Sequence, residues 1–118
     1  MQEEINLQLT VEIMSGPDDG RQVRFRLADG DGNAGPQGSW IFTLGRRDDC
    51  DLCLPFDTQI SRLHARLIHR PGRGWFLEDS GSRNGTFVGK QRIEGPVALA
   101  EQVLFRIGRT WLRLQHME

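Results

Sequence analysis

The chain has 118 residues, 37% of them hydrophobic, and a formal net charge of −1; that is one domain, able to bury about two-thirds of its unfolded surface without staples. The charge gives no reason to expect general attraction to nucleic acid or to a bilayer, and no apolar run approaches the roughly 20 residues that span a membrane. The acidic opening Met1-Gln2-Glu3-Glu4 is wrong for a secretion signal, so the expected compartment is the cytoplasm. Of 15 basic residues only Lys90 is a lysine. Arginine is the better bidentate partner for phosphate and carboxylate, but the codon bias of a high-GC genome has the same effect, so composition alone does not establish a phosphate site.

Ile5, Leu7, Leu9, Val11 and Ile13 alternate with Asn6, Gln8, Thr10 and Glu12, a period of two that predicts a strand with one buried face. Gly16-Pro17-Asp18-Asp19-Gly20 turns the chain. Val23, Phe25 and Leu27 then alternate with Arg24 and Arg26, and the two strands are expected to form a hairpin. From Ala28 to Ser39 the chain carries four glycines and a proline, which reads as a loop. Within it Asp29, Asp31 and Asn33 mimic the opening of a calcium loop. Its sixth and twelfth positions, which need glycine and glutamate, hold Ala34 and Trp40, so a solvated, mobile insertion is expected instead.

Trp40, Phe42 and Leu44 form the next alternation, ending at Gly45-Arg46, and Leu52 and Leu54 mark a short strand stopped by Pro55. Cys50 and Cys53 have a C-x-x-C spacing. In an extended segment their Cα atoms lie about 10 Å apart, too far for a disulfide, and a zinc site needs two more ligands where only His64, His69 and His116 are on offer; free thiols and no metal are expected. Leu63, Ala65 and Leu67 alternate with Arg62, His64 and Arg66, which places the apolar set inward and the cationic set outward. Pro71-Gly72-Arg73-Gly74 turns the chain into a strand from Trp75 to Asp79. Gly89-Lys90, between Val88 and Gln91, fits a two-residue hairpin. The stretch Val97 to Leu104 has good helix propensity, but Gly95-Pro96 and Gly108 leave little room for a helix, so strand, turn, strand is expected. The last strands are Val103 to Ile107 and Thr110 to Leu114. Many short strands with frequent turns imply an all-β sandwich.

Three polar clusters interrupt these strands: Gly45-Arg46, Ser61-Arg62-Leu63-His64-Ala65 and Ser82-Arg83-Asn84-Gly85-Thr86. Each joins small hydroxyl or amide side chains to an arginine where the chain turns, so that a rigid scaffold presents donors to solvent. Together they suit a group with several negative oxygens, such as a phosphate on a protein.

In this order and spacing, with Asp51-Leu52-Cys53-Leu54-Pro55, Glu78-Asp79-Ser80 and Ile107-Gly108, the clusters resemble the forkhead-associated (FHA) domain family, in detail from Ile41 to Leu114. The resemblance implies an eleven-stranded antiparallel β-sandwich, spanning residues 5–116 after a short tail of residues 1–4, with its binding site on loops at one end. It further implies a phosphothreonine-dependent protein-binding module in serine/threonine kinase signalling, neither an enzyme nor cofactor-dependent, monomeric, and possessing neither nucleic-acid nor membrane partners. In relatives the counterpart of Arg46 contacts the phosphate, Ser61 donates to its oxygens, and Arg62 meets the peptide backbone or the phosphate. Asn84 bonds the peptide backbone beside the phosphoresidue. Arg83 fills a variable slot, where it adds a second cation or points into solvent. Gly45, His64, Gly85 and Thr86 are structural: His64 braces the Asn84-Gly85 loop, Gly85 permits its turn and Thr86 supports His64. The main alternative is an FHA fold that recognises its partner without phosphate.

Two other classes are weaker. Ser61, His64 and Asp79 supply the letters of a hydrolytic triad, but Ser61 and His64 are three apart on one strand and no strand-turn-helix elbow exposes the serine. Arg62, Arg66, Arg70 and Arg73 suggest a nucleic-acid-binding barrel, against which stand the acidic balance and the lack of exposed aromatic motifs.

Overall fold

The computed structural model describes residues 7–117. Its strands are β1 (Gln8–Ile13), β2 (Gln22–Arg26), β3 (Asn33–Ala34), β4 (Trp40–Gly45), β5 (Leu52–Cys53), β6 (Ala65–Arg70), β7 (Gly74–Asp79), β8 (Thr86–Val88), β9 (Gln91–Arg92), β10 (Val97–Ala98), β11 (Leu104–Ile107) and β12 (Thr110–Met117). One sheet runs β2-β1-β12-β11-β8-β9; the other runs β10-β7-β6-β4-β3, with β5 beside β4 in parallel. All other pairings are antiparallel. The expected all-β sandwich is present.

It has one strand more than the eleven expected. The extra one is β3, inside the segment read as a loop, where Asn33 and Ala34 pair with Ile41 and Trp40. That segment is tied down rather than loosely solvated. The Asp31 carboxylate accepts from the Arg26 amide at 2.8 Å, and the Asp31 carbonyl accepts from the Trp40 indole at 2.7 Å. Among the described residues no group of three or more His, Cys, Asp or Glu is placed to hold a metal. The stretch 97–104 is strand, turn, strand, with a positive φ of 70° at Gln102 in the turn. Residues 1–4, read as a tail, and Ile5, read as the start of β1, lie outside the described residues.

Inward-facing side chains of both sheets meet in one core. Leu9, Val11 and Ile13 of β1, Leu44 of β4, Leu67 and Leu77 of the central pair, and Leu112 and Leu114 of β12 are fully buried. Each contributes about 1.5–3 kcal/mol by leaving water. Phe25 of one sheet meets Phe42 of the other, and Phe42 meets Trp75 of its own sheet, in tilted contacts with ring centroids 5.0 and 5.7 Å apart.

The alternation expected from Arg62 to Leu67 is corrected at its start. The strand starts only at Ala65, and His64 before it is buried, not on the cationic face. Ile68 lies on the same side as Arg66 and Arg70 yet is only 5% exposed. Its cross-strand partners Ile41 and Phe76 flank it, and side chains directly opposite in a sheet pack on one face.

Backbone bonds between loops then gather the polar clusters at one end of the sandwich. The amides of Arg46 and Arg47 donate to the carbonyls of Ser61 and Arg62, His64 donates to Leu44, and Ser80 donates to His64.

Candidate functional site

The loop carrying Ser61 is set by Asp57, which is buried. Its carboxylate accepts from the Gln59 amide at 2.9 Å, the Arg109 amide at 2.8 Å and the Thr110 hydroxyl at 2.6 Å. Burial alone would raise the Asp57 carboxyl, but the Thr110 hydroxyl and the two amides outweigh it and hold it below the ordinary carboxylate range.

His64 fixes the other side of that loop. Its Nδ1 accepts from the Ser61 amide at 3.0 Å, so the proton sits on Nε2, which donates to the Gly85 carbonyl at 2.9 Å. Burial pushes its pKa down against the favourable carbonyl contact, consistent with a neutral ring in that tautomer. The imidazole thus spans from the Ser61 loop to the Asn84-Gly85 loop. Gly85 has a φ of 88°, in the left-handed region where a side chain is strained.

The Asn84 loop is organised by Asp79. Its carboxylate accepts from the Thr86 hydroxyl at 2.7 Å, the Ser82 hydroxyl at 2.5 Å, and the amides of Gly81 and Ser82 at 3.0 Å each. The Ser82 oxygen in turn accepts from the Gly85 amide at 2.9 Å. Burial opposes ionisation of Asp79, and the hydroxyls and amides overcome it, leaving the carboxyl below its ordinary range. Thr86, expected to support His64, supports Asp79 instead, because its hydroxyl points to that carboxylate.

Gly45 is needed for a close approach: a Cβ there would collide with the Arg62 carbonyl and the Cys50 sulfur. Arg46 follows it, exposed, and its Nε donates to the Ile60 carbonyl at 2.6 Å. That bond fixes the plane of the guanidinium and leaves both terminal nitrogens as donors. Ser61 Oγ accepts from the Arg83 amide at 3.0 Å, which keeps its own proton available. Asn84 is exposed, and its side-chain nitrogen donates to the Gln59 carbonyl at 2.9 Å and to Gln59 Oε1 at 3.0 Å.

Arg46, Ser61, Arg83 and Asn84 line one open cleft of about 320 Å³, together with Thr58, Gln59 and Ile60. Among the described residues no carboxylate lines it. Two guanidinium groups, two hydroxyls and two amides around such a space suit a tetrahedral oxyanion. Arg62 does not line the cleft; its side chain is exposed and its carbonyl accepts from the Cys50 thiol at 3.3 Å. Both cysteines are free, and burial pushes the Cys50 thiol up. Cys50 lies in a turn rather than an extended segment, so the sequence argument from strand spacing does not apply to it.

Ser61, His64 and Asp79 do not form a triad. His64 meets the amide of Ser61 rather than its hydroxyl, and Asp79 is occupied by Ser82, Thr86 and Gly81. Sequence reading missed Asp57, Thr58 and Gln59. The short run Asp57-Thr58-Gln59 is the signal of an aspartate capping an amide two residues on, but it does not show that the carboxylate is buried.

The family model for the FHA domain matches residues 42–108, more than half of the chain. FhaB, an FHA domain-containing protein of Mycolicibacterium smegmatis and Mycobacterium tuberculosis, is 39% identical over 72 residues, covering 61% of this chain and 45% of the relative. The chain thus spans less than half the length of these curated relatives. Among solved structures, an FHA domain studied for phosphothreonine-dependent interactions is 26% identical with a TM-score of 0.69, covering 92% of this chain and 96% of that one. The FhaA FHA domain complexed with the intracellular domain of Rv3910 is likewise 26% identical with a TM-score of 0.69, covering 91% and 99%.

Proposed function

The chain belongs to the FHA domain family, and on that premise we propose that it is a phosphothreonine-dependent protein-binding module. The observation that carries this reading is the convergence of Arg46, Ser61, Arg83 and Asn84 on one cleft that, among the described residues, no carboxylate lines. Arg46 and Ser61 hold the phosphate, Arg83 supplies the second cation, and Asn84 fixes the backbone of the bound peptide. The peptide takes over the Asn84 donor now given to Gln59. Arg62, away from the cleft, meets the peptide beyond the phosphoresidue. The solved relative with phosphothreonine-dependent interactions supports the choice of ligand.

The module proposed spans residues 5–116, is monomeric and non-catalytic, needs no cofactor, and acts in the cytoplasm. Its partner is a protein phosphorylated on threonine by a serine/threonine kinase, in a bacterial signalling or secretion system. A phosphopeptide array presenting matched phosphothreonine, phosphoserine and unmodified sequences tests the reading. The threonine γ-methyl is worth about 0.8 kcal/mol when buried, so phosphothreonine binds about fourfold better than phosphoserine. Unmodified peptides are not retained. Equal retention of all three contradicts the proposal.

A further inference from the structure

A second cleft, of about 310 Å³, lies on the outer face of the β4-β6-β7 sheet and shares no lining residue with the loop cleft. Its floor is Ile41 and Ile68, and the turn at Gln37 forms one wall. Arg70 and Arg73 also line it, and both guanidiniums lie over the Phe76 ring, at 4.6 and 6.0 Å from its centroid. Among the described residues neither arginine pairs with a carboxylate. Stacking on an aromatic face restricts a guanidinium without using its donors, so both keep their forks free. Arg66 and Glu78 also line the cleft, and each neutralises the other as an ion pair. Gln37 holds a positive φ of 58°, a conformation uncommon outside glycine and often kept where a loop shapes a site.

An apolar floor beside two free guanidiniums has a definite complement. We propose that this cleft is a second docking site, for an acidic and hydrophobic peptide segment of a partner protein. A carboxylate of the segment bonds Arg70 and Arg73, and a neighbouring aliphatic side chain rests on Ile41 and Ile68. The site is independent of the phosphate reading. Arg70 ends the strand that the Ser61 loop leads into, and five steps of about 3.3 Å each put it about 17 Å from Ala65. A partner reaching both clefts needs at least about six extended residues between its two contacts, and such a partner gains avidity from the pair.

The test is a titration of the ¹⁵N-labelled full chain with a blocked tetrapeptide alternating Asp or Glu with Leu, and with its Asn/Gln counterpart. The acidic peptide shifts backbone amides within 36–41 and 66–73. Its affinity falls at least tenfold in the double variant Arg70→Gln/Arg73→Gln, whose spectrum otherwise stays that of the folded protein. Affinity also falls several-fold when salt rises from about 0.05 to about 0.3 M. Arg46→Ala leaves it unchanged, which separates this site from the loop cleft. Equal shifts from the Asn/Gln peptide, no shifts up to several millimolar, or undiminished binding by the double variant overturns the proposal. Binding to anionic lipid vesicles without binding to the peptide also overturns it, in favour of a membrane surface.

Discussion

Ser61 and His64 stand three residues apart and do opposite work, one turned to the cleft and the other sealed beneath it. His64 is fully buried and satisfies two backbone groups that no other side chain among the described residues bonds. His64→Ala leaves the Ser61 amide and the Gly85 carbonyl unpaired, at about 1–3 kcal/mol each. Urea melts are expected to show a loss of about 2–4 kcal/mol, with peptide binding failing only as a consequence. The same residue sets a pH dependence. Its pKa is lowered in the folded protein from 6.5, so below about pH 6.5 the unfolded chain binds a proton that the folded chain refuses. Stability therefore falls as pH drops through that value. Asp57 and Asp79 have depressed carboxyl pKa values in the fold, so their contribution is present above about pH 4 and is lost as pH falls through their folded values. Urea midpoints from pH 7.5 to 5 are expected to decline in wild type and to stay nearly flat in His64→Gln; parallel declines would assign the effect elsewhere.

At the scale of elements, a strand is legible in the sequence when its own side chains alternate over enough residues. β1 and β4 show this in Leu9, Val11, Ile13, Phe42 and Leu44. β3 is two exposed residues long, so its pairing to β4 leaves no hydrophobic trace. Loop residues are legible only through resemblance: Arg46, Ser61 and Asn84 stand in recognisable clusters, whereas Thr58 and Gln59 do not. The burial of Asp57 escapes sequence reading because its partners Arg109 and Thr110 are 52 and 53 residues away. The Glu101-Gln102 turn has an energetic consequence. Gln102 holds a φ of 70°, which costs a side-chain-bearing residue roughly 1–2 kcal/mol. Its side chain recovers part of that through an exposed bond to the Gln115 carbonyl at 3.2 Å. Gln102→Gly is expected to raise stability by about 0.5–1 kcal/mol, read as a higher urea midpoint with an unchanged slope. A lower midpoint would mean that the Gln115 contact outweighs the strain.

Across the whole molecule, Asp57 joins the two sheets. It sits in the loop between β5 and β6 and bonds the turn between β11 and β12 of the opposite sheet. The binding loops are thus supported by the same contacts that hold the sandwich together. Asp57→Ala strips three donors of their acceptor, for about 2–3 kcal/mol. The expected result is one cooperative melt shifted down by on the order of 10 °C, with no separate transition for the loop end. Two resolved transitions would show that the loops unfold independently of the core.

The central claim, that the loop cleft binds phosphothreonine through Arg46, has one direct measurement: calorimetric titration of an array-selected phosphothreonine peptide into wild type and Arg46→Ala, with thermal melts of both. A charge-assisted hydrogen bond is worth about 1.5–3 kcal/mol, and the terminal nitrogens of Arg46 offer one or two of them to phosphate. Arg46→Ala is therefore expected to bind roughly tenfold to several hundredfold more weakly, while its exposed side chain costs the fold no more than about 0.5 kcal/mol. A folded Arg46→Ala variant that binds the peptide as tightly as wild type contradicts the account and leaves recognition without phosphate in its place.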